Sequence, residues 1–97
     1  MDVEWDDVKR QATLAKHGVD LLVAARIFEG RTLDKRDDRA DYGEIRTVSP
    51  GMVGEECYIV VHTMRQGRLR LITAWKGGLR DRQRYAASLA RRTQGDG

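Results

Sequence analysis

The sequence predicts an α+β protein: two N-terminal helices and a C-terminal helix packed on one face of an antiparallel sheet. Three observations carry that prediction. Cys57–Thr63 is apolar at both alternating sets of positions, the pattern of a strand buried on both faces. Arg65-Gln66-Gly67-Arg68 is a tight turn joining it to a second apolar run, Leu69–Trp75, so the two pair as a hairpin. Helix-start and helix-stop residues bracket further segments, two before the strands and one after. Helices at the chain ends with short-turn strands between them make a layered α+β sandwich.

Val3-Glu4-Trp5 reads as a short edge strand. Asp6 or Asp7 caps a first helix, with Trp5 placed to staple back onto its first turn. Val8, Ala12 and Ala15 form a narrow apolar stripe on that helix, beside Lys9 and Lys16. Lys16-His17-Gly18-Val19 ends it. Gly18 suits the left-handed conformation, Val19 the closing hydrophobic contact, and Lys16 and His17 the negative end of the dipole. Asp20 caps a second helix, Leu21–Phe28, which is apolar nearly all round apart from Arg26 and stops at Gly30. Asp34–Asp41 is a mixed-charge loop, Glu44–Val48 a strand, and Ser49-Pro50-Gly51 a turn. Gly77-Gly78 breaks the Leu69–Trp75 strand. A last helix runs from Leu79 to about Arg92, with Leu79, Ala86, Leu89 and Ala90 inward and residues 93–97 a frayed tail.

Ninety-seven residues make a single domain, 1–97, with one modest core. Cys57 is the only cysteine, so no intramolecular disulfide forms and a reducing compartment is expected. No apolar run has the length of a membrane span, and Asp2, Glu4, Asp6 and Asp7 make the N-terminus unlike a signal peptide. A cytoplasmic protein without a membrane partner is expected. Charge divides sharply along the chain. Residues 1–61 carry nine Lys/Arg against thirteen Asp/Glu, whereas residues 62–97 carry nine against two. A one-sided positive field concentrates polyanions, and fourteen of the eighteen cations are Arg, whose guanidinium grips phosphate bidentately and stacks on bases. RNA or DNA is the expected partner, with mere solubility the alternative.

No metal or cofactor site is written in the sequence. His17 and His62 have no Cys or carboxylate at ligand spacing, and Gly77-Gly78 lacks a following GK[ST]. No Ser/His/Asp triad is supported by Ser49 or Ser88 either. The remaining candidates are cationic. Arg80, Arg84 and Arg91 share one sector of the last helix, as nucleic-acid contacts or as a solvated face. Arg70, embedded in Leu69-Arg70-Leu71-Ile72, calls for an anion or a carboxylate. Arg39-Ala40-Asp41-Tyr42-Gly43-Glu44-Ile45-Arg46 is the densest polar patch. There Glu44 and Arg46 share a side, in a site or in a plain same-face ion pair.

Trp5-Asp6 before a helix, Lys16-His17-Gly18-Val19, Arg39-x-Asp41-Tyr42-Gly43-Glu44-x-Arg46, Arg70-x-Ile72-Thr73-Ala74, and Tyr85 in a charged final helix together resemble the BrnT family. These are toxins of bacterial type II toxin–antitoxin pairs, and the resemblance runs from about Val3 to Tyr85. It implies a RelE-like fold, ribonuclease activity that arrests translation, and neutralisation by a BrnA-type ribbon-helix-helix antitoxin in a heteromeric complex. One departure stands out. After Ile72-Thr73-Ala74 the family usually has an arginine, and here Trp75 precedes Lys76. If that arginine binds the scissile phosphate, this chain is a weakened nuclease. Alternatively Lys76 substitutes, or Trp75 stacks a base.

RNA cleavage by its own 2′-OH needs a base, an acid and positive charge on the phosphorane, and needs no metal. Glu44 or neutral His17 is the expected base, Arg46 and Arg70 the charge, and Tyr85 or Lys76 the donor to the leaving group. Arg39, Arg80, Arg84, Arg91 and Trp75 are expected RNA contacts. His17 also reads as a plain helix cap, Tyr85 as a core aromatic and His62 as structural. The rival class is a non-catalytic nucleic-acid-binding module, whose arginines only grip phosphate. Leu22, Val23 and Ile27 form a second apolar face on the second helix and are the expected antitoxin contacts, unless another layer of the same chain covers them.

Overall fold

A computed structural model describes the backbone of residues 2–95 and side chains as far as Arg91. Strand β1 (Val3–Glu4) leads into helix α1 (Asp7–His17) and helix α2 (Leu21–Ala24), which tightens into a 3-10 turn, Ala25–Glu29. Strands β2 (Lys35–Arg36), β3 (Thr47–Val53), β4 (Glu56–Arg65) and β5 (Arg68–Lys76) follow, then helix α3 (Leu79–Gly95). The five strands form one sheet in the order β1-β5-β4-β3-β2. β2 to β5 are an antiparallel meander, and β1 adds to the outer edge of β5 in parallel, Val3 opposite Leu69 and Glu4 opposite Arg70. The expected α+β architecture is therefore present, with one parallel edge. α3 continues to Gly95, past the expected end near Arg92, and the last two residues of the expected tail lie outside the described residues.

Local signals explain most boundaries. The Asp6 carboxylate accepts from Val8 N–H at 2.8 Å and Asp20 from Leu22 N–H at 2.9 Å, capping α1 and α2. Gly18 closes α1 at φ +69°, its N–H donating to Leu14 at 2.9 Å. Gln66 (φ +51°) and Gly67 (φ +77°) are both left-handed, as the two-residue β4–β5 hairpin requires. The other tight turn is not at Ser49-Pro50-Gly51, as the sequence suggested, but at Gly54-Glu55. Proline survives inside β3 because the Pro50 carbonyl accepts from Leu33 N–H at 3.0 Å. Its imide nitrogen thus faces away from β4, where no ladder donor is needed. Gly51 is a packing glycine, since a Cβ there would sit 2.7 Å from the Ile27 Cβ.

The core lies between one sheet face and the α2/3-10 segment, where Tyr58 and Val60 of β4 and Leu69, Leu71 and Ala74 of β5 meet Val19, Leu21, Ala24 and Ile27. The tightening after Ala24 selects those residues. At three residues per turn from Ala24 onward, Ile27 falls in line with Ala24, and Leu21, Ala24 and Ile27 are all buried, leaving Val23, Arg26 and Glu29 outside. Ile27 is accordingly 0% exposed, and so is not the surface contact that a 3.6-residue period implied; Leu22 is half-buried and Val23 exposed.

α1 departs from expectation in the same way. It packs on β5 near the sheet edge through Thr13, whose hydroxyl is 3.4 Å from that of Thr73, so Val8 (75% exposed), Ala12 and Ala15 face solvent. On α3 the inward residue is Tyr85. Leu79 (72% exposed), Ala86 and Ala90 point outward, and Leu89 is half-buried. No helix among the described residues is long and apolar enough to cross a membrane.

His62 is structural, as expected. Fully buried Ser49 donates to Asp34 Oδ1 at 2.6 Å and accepts from His62 Nε2 at 2.7 Å, fastening the 30–34 segment to β3. Serine sits in the middle of this chain, with its single proton committed to the carboxylate, so the trio has no triad geometry. Burial lowers the His62 pKa below its ordinary 6.5. A histidine with a depressed folded-state pKa contributes stability above the unfolded value and loses it as pH falls. Urea midpoints should therefore decline below about pH 6.5, and His62→Gln should flatten that slope.

Candidate nucleic-acid groove

The second sheet face carries Val48 and Pro50 of β3, Ile59, Val61 and Thr63 of β4, and Thr73 and Trp75 of β5. The registers align Pro50–Ile59–Trp75 and Val48–Val61–Thr73 as cross-strand rows. The β2–β3 connection folds over this face. Thr63 Oγ1 donates to the Ile45 carbonyl at 2.7 Å, and the Arg39 guanidinium lies 5.6 Å from the centre of the Trp75 ring, two strands beyond β3.

Arg39 is held there by a buried acid. Asp37 has a side chain only 1% exposed and receives Arg39 Nε at 2.7 Å, Nη2 at 2.8 Å and the Arg39 backbone N–H at 3.2 Å. The Arg39 bonds hold the Asp37 carboxyl down to about 2, well below its ordinary value. Asp37 thus takes Nε and one edge of Nη2, leaving Nη1 outside that pair.

His17 also approaches Trp75, its ring centre 6.1 Å away and tilted by 46°. A groove of about 640 Å³ runs between α1 and β5, lined by Lys9, Thr13, Lys16, His17, Arg39 and Trp75 among others. Lys9, Thr13, Lys16 and His17 recur at helical spacing and turn one face of α1 to β5. No ion pair among the described residues holds Lys9 or Lys16. The groove thus combines uncommitted ammonium groups, an anchored guanidinium, an imidazole and an indole. Such a set can bind a phosphodiester, stack a base and pass a proton through the imidazole.

Of the sequence-expected residues, the groove unites His17, Arg39 and Trp75. Others lie elsewhere. Glu44 accepts from Arg46 Nε at 3.1 Å and Arg65 Nη2 at 3.2 Å, bonds that lower its pKa, so the ion pair expected with Arg46 is present. Arg46 also stacks over Tyr42, 4.0 Å from the ring centre. Arg70 meets the carboxylate it called for, Glu4 Oε1 at 3.5 Å, at the β1 edge. Lys76 is beside Glu56 at 3.9 Å and Tyr85 gives its proton to the Arg31 carbonyl at 2.7 Å. Arg80, Arg84 and Arg91 are exposed on α3, and only Arg84 reaches a groove, a second one described below. Sequence reasoning missed Lys9, Lys16, Thr13 and Thr73 as site residues. The signal was present in the 9-13-16-17 spacing, but the expected Val8/Ala12/Ala15 stripe pointed a neighbouring face at the core.

Fold and groove together define a small basic α+β protein with a cationic groove beside one sheet face. Residues 5–77 match the family of BrnT ribonuclease toxins of type II toxin–antitoxin systems, and the chain belongs to that family. Membership implies an RNA substrate and a protein antitoxin. No curated protein matches the chain at a significant level. α3 lies outside the matched segment.

The Asp37–Arg39 pair makes a pH prediction for the groove. A depressed carboxylate pKa contributes order above the unfolded value and loses it as pH falls toward the folded one. In a Trp5→Phe background, Trp75 fluorescence should titrate with a midpoint near the Asp37 value of about 2, and Asp37→Asn should remove that transition.

Proposed function

We propose that this protein is a metal-independent endoribonuclease toxin that arrests translation by cutting RNA in the α1–β5 groove. The convergence of His17, Arg39 and Trp75 on one groove carries the reading. His17 takes the proton from a 2′-OH. The 2′-oxygen then attacks phosphorus in line, and the bond from phosphorus to the 5′-oxygen breaks. Lys16, lining the same groove, gives the departing oxygen its proton, leaving a 2′,3′-cyclic phosphate and a 5′-hydroxyl. Arg39 Nη1 and Lys9 stabilise charge on the phosphorane, the larger share of catalysis in such sites. Arg39 thereby supplies from a loop the guanidinium that the family's usual arginine would supply from β5, and Trp75 is its stacking support. Glu44 and Arg70 are structural in this reading, each committed to a partner.

Cleavage should persist in EDTA, fail on 2′-O-methyl substrates, and fall about 10²–10⁴-fold in His17→Gln with RNA binding retained. A strict need for a divalent ion, or full activity in His17→Gln, would remove the mechanism. Glu44→Gln should remain active.

The antitoxin is proposed to be a BrnA-type ribbon-helix-helix protein, with two toxins flanking its two-fold dimer. Support comes from the apolar surface of the N-terminal layer. Val3, Trp5, Leu22, Ala25 and Phe28 line a shallow groove of about 380 Å³, and Val8 and Val23 stand exposed beside it. Co-expression with the adjacent reading frame's product should give a heteromeric complex by light scattering and relieve growth arrest. Val23→Asp with Leu22→Asp should weaken that complex, whereas Ile27→Asp should unfold the toxin.

A further inference from the structure

Trp75 borders two cavities. Its second neighbour is a groove of about 510 Å³ between β2, β3 and α3, with Pro50, Ile59 and Trp75 along its floor and Lys35, Arg36 and Arg84 among its rim. The floor is the cross-strand row already described, an apolar platform continuous from β3 to the Trp75 ring. The rim is cationic where it is free to act. No ion pair among the described residues holds Lys35 or Arg84, while Arg36 faces Asp38 at 3.1 Å. Two carboxylates also line the rim and keep their charge, Asp34 accepting from Ser49 at 2.6 Å and Thr32 at 2.8 Å and Asp81 from Gly78 N–H at 3.0 Å. The cations that meet phosphate are therefore those projecting past them, Lys35 and Arg84.

We propose that this groove is a second RNA subsite, holding nucleotides that flank the scissile one and extending the footprint from the α1–β5 groove across Trp75 to α3. The inference rests on the proposed ribonuclease reading of the first groove. Continuity through Trp75 and uncommitted cations around an apolar floor are the two features that bind single strands, the first for base stacking and the second for phosphates. Arg84 lies on α3, beyond the family-matched residues 5–77, and the rest of the subsite lies largely within them.

The test uses non-cleavable 2′-O-methyl oligouridines of three and nine nucleotides, with affinity read by fluorescence anisotropy on the full chain. The nine-mer should bind wild type at least about tenfold tighter than the three-mer, and K35A/R84A should erase that advantage while leaving the three-mer unchanged. Removing two phosphate contacts should also lower the salt slope by about 1.4. Both side chains are exposed, and circular dichroism would verify folding. Equal affinity for the two lengths in wild type overturns the proposal, as does a double variant that keeps the length advantage. Loss of antitoxin binding with RNA binding intact would assign the groove to protein instead. K16A/R39A reports separately on the first groove: if it leaves the three-mer unaffected, the ribonuclease reading fails there, whatever the length dependence shows.

Discussion

Strand β4 has to be dry on both faces. Tyr58 and Val60 point to one side and Cys57, Ile59, Val61 and Thr63 to the other, and all are buried. The α2/3-10 segment covers the first side. The chain has no comparable apolar helix for the second, so an irregular segment, the β2–β3 connection, folds over it and brings its own polar groups. A buried connection must satisfy those groups internally. It does so with Thr63 bonded to the Ile45 carbonyl and Asp37 bonded to Arg39. The guanidinium delivered over Trp75 is a consequence of covering β4, which makes the site and the fold one construction.

The net charge of +3 understates what the molecule offers an anion, because the fold consumes its cations selectively. Arg10 is bound bidentately to Asp20 at 2.9 and 2.8 Å, Arg46 to Glu44 and Arg70 to Glu4. The first and last of these tie one element to another, α1 to the start of α2 and β5 to β1, and the Arg46 pair braces the β2–β3 connection. The cations left uncommitted around the grooves are Lys9, Lys16, Lys35 and Arg84. An argument from sequence density favoured the Arg-rich segments, but a side chain bonded to a carboxylate contributes a nearly neutral pair to the field. Availability decides which positive charges can serve a substrate.

That distinction also separates what was legible in the sequence from what was not. Caps, hairpin and central strand were readable because each rests on residues adjacent in the chain: Asp6, Asp20, Gly18 and Gln66-Gly67 act within a few residues of themselves. The inward faces of α1 and α3 were not, because each helix touches the sheet along a narrow line set by distant partners, Thr73 for α1 and the Arg31 carbonyl for α3. Ile27 was misplaced by a change of helical period that no residue in Leu21–Glu29 announces. Its cause is tertiary: Gly51 opens the space into which the tighter turn settles Ile27. His17, Arg39 and Trp75 were each singled out, yet their union was invisible, because it depends on a loop crossing two strands.

Tryptophan at position 75 gains its meaning from that crossing. A guanidinium projected from β5 would be rigid by virtue of its strand, whereas Arg39 comes from a segment without regular structure and would wander without support. Two contacts remove that freedom: the buried Asp37 fixes the Nε edge of Arg39, and the indole face beneath limits its swing. The same indole lies near His17, so one ring neighbours both the imidazole and the guanidinium in the groove. Replacing a strand arginine by tryptophan therefore need not remove positive charge from the site. In the proposed reading the charge comes from a loop instead, and the geometry of the site depends on that loop staying folded over β4.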